Sequence, residues 1–213
     1  MLAIAFCLFG VLAILALAEI LWRKKTLRQE YHRKFVHMGV GLFVAFWPWL
    51  ISWREIQVIG VAMAIVVVLD REIRFFKLDR RITRQTFGDL FFALAISLCA
   101  LLTTNKYFFM IAVLHVAVAD GMAAIIGRKY GAKWRYKVFG ETRSVLGTMA
   151  FWSSSFVILG IGLLFVLQPS IYAYAIMLLV LPPLLSLLEN LSILGLDNIV
   201  ISVAVISALK LVY

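Results

Sequence analysis

The sequence predicts an all-α, polytopic integral membrane protein, on three observations. Hydrophobic residues make up 64% of the 213 residues and charged residues only 15%, whereas soluble domains run about 45–50% apolar and about 25% charged. Mean hydropathy is +1.00. The apolar residues fall in long runs, and eighteen of the 21 Lys and Arg residues lie in three segments between those runs. Backbone in lipid must satisfy its own hydrogen bonds, as a helix does, and crossing about 30 Å of hydrocarbon takes ~20 residues.

Eight such runs follow one another, at 2–22, 35–51, 55–69, 87–103, 108–127, 147–167, 171–188 and 198–212. About eight transmembrane helices are therefore expected, with seven to nine as the range because the second and third runs are short. In the first, Ala16-Leu17-Ala18 resembles a signal-peptidase site, but Arg23, Lys24 and Lys25 follow the apolar core instead of preceding it. That order reads as an uncleaved anchor with its N-terminus outside. Segments 23–34, 70–86 and 128–143 hold six basic residues each. Alternation puts all three on one face, after helices one, three and five, while the opposite short loops hold only Arg54 and Lys106. Lys and Arg in short loops mark the cytoplasmic side. The loop 189–197 falls on that side too. No linker or repeat divides the chain, so it reads as a single transmembrane domain, 1–213, with cytoplasmic loops 23–34, 70–86, 128–146 and 189–197 forming the candidate active site.

The net charge of +10 would suggest nucleic acid in a soluble chain. Clustered between apolar runs, it fits anionic lipid head groups instead, and nucleic acid is not an expected partner. Cys7 and Cys99 lie in apolar stretches without a nearby Cys and read as small core residues. Nucleotide-binding glycine loops and kinase signatures of soluble enzymes are absent, so any nucleotide chemistry must use a membrane-built site.

An acid inside an apolar helix costs roughly 2.5–3.5 kcal/mol on insertion scales, so a retained one is a functional candidate. Asp120 is such an acid, near the end of the fifth run among Ala117, Gly121, Ala124 and Gly127. The alternative for it is an ion pair locking two helices. The basic loop that follows combines Arg128, Lys129, Lys137 and Arg143 with Gly131, Gly140 and Gly147 and the hydroxyls of Thr142, Ser144 and Thr148. Lys and Arg neutralise phosphate, and glycine lets backbone N–H groups reach oxyanions. An acid beside such a loop points to a divalent cation bridging carboxylate and phosphate oxygens; the alternative is an interfacial anchor using Tyr130, Trp134 and Tyr136. Glu189, Asn190, Asp197 and Asn198 form a third cluster, with Gly195 interrupting the helix between them. Their oxygens suit Mg²⁺, although Asp197 or Asn198 also fits a helix cap. Asp89, behind Gly88, fits a helix-dipole partner. His37 reads as a hydrogen-bonding anchor and His115 as a helix-to-helix hydrogen bond.

Four stretches in order carry a likeness: EYHRKFVH at 30–37, FGDLFF at 87–92, ADGMAAIIGRKYG at 119–131 continuing to RSVLGT at 143–148, and ENLSILGLDN at 189–198. Together, over about residues 30–198, they resemble the dolichol kinase and phytol kinase family of polytopic lipid-alcohol kinases. The resemblance implies transfer of the terminal phosphoryl group of CTP, with ATP as the other donor, to the hydroxyl of a long-chain isoprenoid alcohol or similar lipid, in the presence of Mg²⁺. In it Asp120 matches the family's acid in the nucleotide and metal region, Lys137, Arg143, Ser144 and Gly147 match its nucleotide loop, and Glu189, Asp197 and Asn198 match its last acidic motif. With the residues read above, the metal is expected at Asp120, Glu189 and Asp197, and the nucleotide at Arg128, Lys129, Gly131, Lys137, Arg143, Ser144, Gly147 and His37. Asp120, Glu189 and Asp89 are the catalytic candidates, with Asp89 or Glu189 accepting the alcohol proton. Two departures stand out. Gly121 replaces the family's usual proline after the aspartate, and Leu146 stands where the family has an acid.

Two other classes fit the same residues. A cytidylyltransferase making CDP-lipid would also use CTP, Mg²⁺ and interfacial acids. A lipid transporter or scaffold would use Asp120 and Glu189 as proton relays or helix locks, but internal repeats are absent. The short loops point to a prokaryotic cytoplasmic membrane, with the endoplasmic reticulum as the alternative, and a homodimer is among the assemblies left open.

Overall fold

A computed structural model describes residues 1–24, 26, 30–73 and 87–213. Most of the expected loop 70–86, and part of 23–34, lie outside the described residues. The chain is a helical bundle built from α1 (Leu2–Arg23), α2 (Glu30–Val44), α3 (Trp53–Ile73), α4 (Gly88–Leu102), α5 (Lys106–Leu114), α6 (Asp120–Tyr130), α7 (Val145–Ile161), α8 (Ile171–Leu191) and α9 (Asp197–Val212). A π-helical turn, His115–Ala119, joins α5 to α6, and another, Gly162–Leu167, continues α7.

Among the described residues, seven of the eight apolar runs each fall on one helical rod and the second falls on α2 and the turn after it, which does not establish eight membrane spans. Among the described residues, four rods are long and apolar enough to cross a membrane: Leu2–Arg23, Lys106–Lys133, Val145–Leu167 and Ile171–Leu191. Helices α2 and α9, at 15 and 16 residues, are shorter; at 1.5 Å per residue such helices reach only about 22–24 Å. The second run divides because Pro48 cannot donate to a continuing helix, so α2 gives way to a 3₁₀ turn at Trp47–Trp49. Its start is also earlier than the run, at Glu30, which turns part of the expected loop 23–34 into helix.

The bundle is ordered around the α5–π–α6 rod. Of that rod's most apolar window 61% is buried, against 17% for α1, which lies at the periphery. Phe109, Ile111, Phe151, Leu159, Ile201, Ile206 and Leu209 are among the side chains fully buried around it. His115 Nδ1 lies 2.7 Å from the Ile111 carbonyl and Nε2 lies 3.1 Å from Ser155 Oγ on α7. A carbonyl only accepts, so Nδ1–H donates to it and Ser155 donates to Nε2. This is the helix-to-helix hydrogen bond expected for His115. Cys7 and Cys99 are free and buried.

The fold is helical as expected, with one short exception in the basic loop 128–146. Arg128–Tyr130 completes α6, Gly131–Lys133 forms a 3₁₀ turn, and an antiparallel hairpin follows, β1 (Arg135–Val138) and β2 (Glu141–Ser144). Phe139 and Gly140 have φ of 47° and 83°. Positive φ at both central residues makes the turn whose twist matches paired strands, and Gly140 takes that conformation without a Cβ clash.

Candidate functional site

One end of the bundle carries the site. A cavity of about 310 Å³ opens there between the first residues of α2, α4, α7 and α9, one side of α6 from Asp120 to Arg128, the last turn of α8, and the hairpin. The starts of α1, α3 and α5 and the segment after α2 meet at the opposite end, around Met1, Trp49, Ser52 and Lys106.

Asp120, Glu189 and Asp197 meet in this cavity. Each offers a carboxylate oxygen, and the three oxygens lie within 4.8 Å of one another. They come from the first turn of α6, the last turn of α8 and the first residue of α9. The reversal that returns α9 to α8 turns on Gly195, at φ 93°. A Cβ there would run into the backbone of Gly88, so glycine is required both for the dihedral and for the approach. Phe87 N–H donates to the Leu194 carbonyl at 3.1 Å, and Asn198 Nδ2 donates to the Gly88 carbonyl at 2.9 Å. These contacts dock the reversal on the start of α4. Asn198 Oδ1 is buried without a hydrogen-bond partner, and the residue lines the cavity.

Two cations sit on the acids. Lys34 of α2 bonds Asp120, with both side chains about nine-tenths buried. Arg143, at the end of β2, pairs with Glu189 and donates through Nη2 to the carbonyls of Glu189 and Ser192 at 2.9 and 2.8 Å. Arg143 therefore also ties the hairpin to carbonyls at the end of α8, where helical hydrogen bonding runs out. Asp197 makes no ion pair among the described residues.

His37 lies beside Asp120. Its Nε2 donates to the Val116 carbonyl at 3.0 Å and is 3.6 Å from Asp120 Oδ2. The Val116 carbonyl that accepts this bond belongs to the π turn. Glu30 forms a second tier, 2.9 Å from Arg33 and 3.3 Å from Arg128. Burial pushes the Glu30 carboxyl up, but Arg33 and Arg128 outweigh it and hold it below its ordinary value.

The remaining expected residues divide between the cavity and its surroundings. Arg128 and Ser144 line the cavity, and Ser144 caps α7 by accepting from Gly147 N–H at 3.1 Å. Gly147 also lines it, where a methyl group would lie 2.9 Å from the Ala123 carbonyl oxygen. Gly131 is buried outside the lining, and a methyl group there would come within 2.6 Å of Ser144 Cβ. These glycines thus allow α6, α7 and the hairpin to close on one another. Lys129 and Lys137 are exposed and outside the lining. Asp89 is half exposed, 3.9 Å from Arg33, and also outside the lining.

Sequence reasoning missed Glu30, Arg33, Lys34 and Arg135 as cavity residues. The signal for the first three was present: Glu30, Arg33, Lys34 and His37 recur at i, i+3, i+4 and i+7, which is one face of a helix. They were counted as loop charge. Arg135 needed the hairpin, which brings it opposite Ser144.

Chemically, the cavity gathers oxygen ligands for a hard divalent cation, flanked by Lys and Arg that can face phosphate. A curated phytol kinase from Synechocystis sp. is 29% identical to this chain over 198 residues, covering 89% of this chain and 82% of the relative. No protein-family model and no solved structure matches.

Proposed function

We propose, for a membrane chain that the likeness to a phytol kinase supports as phytol/dolichol kinase-like in family, a membrane-embedded lipid-alcohol kinase. The donor is CTP, with ATP as the alternative, and the acceptor is the hydroxyl of a long-chain isoprenoid alcohol or similar lipid. The observation that carries this reading is the meeting of three carboxylates from three helices within 4.8 Å, beside a cationic hairpin.

The donor set fits Mg²⁺. Carboxylate oxygens are its ordinary protein ligands, usually one or two of them together with substrate phosphates, and the orphaned Asn198 Oδ1 adds a buried acceptor at the same cavity. Asp120, Glu189 and Asp197 would hold the ion, which when bound neutralises charge on the donor phosphates. Arg128 and Arg143, with Arg135 from β1, would orient the triphosphate, while the exposed Lys129 and Lys137 draw the nucleotide toward the cavity. Ser144 and the Gly147 N–H shape the start of α7 facing it.

Phosphoryl transfer asks the protein mainly for positioning and charge stabilisation. The alcohol oxygen bonds to the terminal phosphorus as the bond from that phosphorus to the bridging oxygen breaks, and the nucleoside diphosphate leaves. The alcohol proton passes to a carboxylate. Glu189 or Asp89 is the candidate acceptor; Glu189 lines the cavity, whereas Asp89 lies outside its lining. The lipid tail stays among the apolar helices with its hydroxyl at the cytoplasmic end of the bundle, in a prokaryotic cytoplasmic membrane.

The test follows the label. Purified protein is given a lipid alcohol and CTP labelled either in the γ-phosphate or in cytidine. This reading expects γ-phosphate on the lipid; cytidine on a lipid phosphate would establish the cytidylyltransferase, and nucleotide-independent lipid binding alone would favour the transporter or scaffold.

A further inference from the structure

Lys34 has no part in the reading above, yet it occupies the centre of the site. It is 6% exposed, on the inward face of α2, and its ammonium bonds the same Asp120 oxygen that lies 3.6 Å from His37. A buried ammonium requires a partner, since an isolated ion in a low-dielectric interior pays a large desolvation penalty. Three carboxylates within 4.8 Å also need positive charge, and Lys34 and Arg143 supply it. The two cations are held differently. Arg143 is fixed by its further bonds to the Glu189 and Ser192 carbonyls. Lys34 has Asp120 as its only hydrogen-bond partner among the described residues, at the end of a flexible four-carbon stem.

Resting on the divalent-cation reading, we infer that Lys34 is an exchangeable counter-ion: it occupies Asp120 when no cation is bound, and moves to a donor phosphate when the cation–nucleotide complex arrives. A divalent ion that takes the Asp120 oxygen must displace the ammonium. The displaced ammonium remains inside the cavity, where the phosphate oxygens delivered with the ion provide its new partner. The ion alone leaves Lys34 without one. Lys34 therefore opposes binding of the bare ion and favours binding of ion and triphosphate together, so that the acid cluster fills only when substrate is present.

The test measures binding of Mn²⁺ alone by electron paramagnetic resonance, on the full chain in detergent, for wild type, K34M, K34Q and D120N. Close charge pairs couple by 1.5 kcal/mol or more, which is on the order of tenfold, so the Lys34 variants should bind bare Mn²⁺ about tenfold more tightly. They should gain less than wild type from adding a CTP analogue with an uncleavable β,γ bridge. Unchanged or weaker Mn²⁺ binding in K34M and K34Q, with D120N abolishing it, would overturn this inference and leave the metal site standing. Mn²⁺ binding that is absent from wild type and from both Lys34 variants even with the CTP analogue, or that is indifferent to D120N, would instead remove the divalent-cation reading. A wild-type measurement covers variants that fail to fold: the rate at which an amine-acylating reagent modifies Lys34, followed by mass spectrometry. Mn²⁺ alone should raise that rate and the added analogue should lower it; no rise with Mn²⁺ counts against the exchange.

Discussion

At the scale of single residues, the site is held by charges that cannot be removed one at a time. Glu189 is 3% exposed and faces Arg143. Removing one partner of such a buried pair costs roughly 3–5 kcal/mol, while removing both charges costs far less. R143M should therefore lower the thermal midpoint in detergent markedly, and R143M with E189Q should recover most of that loss; a double variant no better than R143M would contradict this. Asp120→Asn keeps the shape and removes the charge. Phosphorylation by membranes should vanish while expression persists, and retained activity would count against Asp120. Glu30 gives a pH dependence. Its carboxyl, ahead of the apolar run, is held below its ordinary value in the fold, so its contribution is present above the unfolded-state value and lost as pH falls through the folded one. E30Q should be less stable than wild type at neutral pH, with the difference closing in acid; a gap that widens in acid would reverse the sign.

Elements set the angles at which these residues meet. The π turn ahead of α6 inserts extra winding, and each residue of a helix turns the next by about 100°. Deleting Ala117 should restore α-helix, swing Asp120 out of the acid cluster and abolish activity, while circular dichroism still reports a helical protein. Unaltered activity would show that the π turn does not aim Asp120. The hairpin can be probed at Gly140, where φ of 83° suits glycine; a side chain there costs about 1–2 kcal/mol. G140V should loosen Arg135 and Arg143 together and raise the KM for nucleotide more than it lowers kcat.

Those two elements were the least legible part of the sequence. An insertion that makes a π turn leaves the residues as apolar as before, so the run 108–127 reads as plain helix. The hairpin is eight strand residues in a loop rich in Lys and Arg, with Gly140 as its main turn signal, and its charge dominated the reading. Asp120, Glu189 and Asp197 were legible for the opposite reason: an acid against an apolar background announces its own cost. Lys34 was not, because one cation among six neighbours looks ordinary until the helix face it shares with Glu30 and His37 is traced.

For the whole molecule, the eight apolar runs and the grouping of basic segments led to the same conclusion, that the starts of α2, α4, α7 and α9 and the ends of α6 and α8 share one end. The cavity lining joins residues from 30 to 198 at that end. Which rods cross the bilayer was less legible, since α2 and α9 are helical but short and, among the described residues, four rods meet the length and composition for crossing. A site assembled from so many separate segments depends on the bundle closing around it, and its acids can act as one only if a single ion joins them. Diffraction from crystals grown with Mn²⁺ and an uncleavable CTP analogue, recorded for anomalous scattering, examines this directly. The expected result is a manganese peak between the carboxylates of Asp120, Glu189 and Asp197, with the phosphates toward Arg143 and Arg128. An analogue bound elsewhere, or a peak that leaves those three acids without the metal, would contradict it.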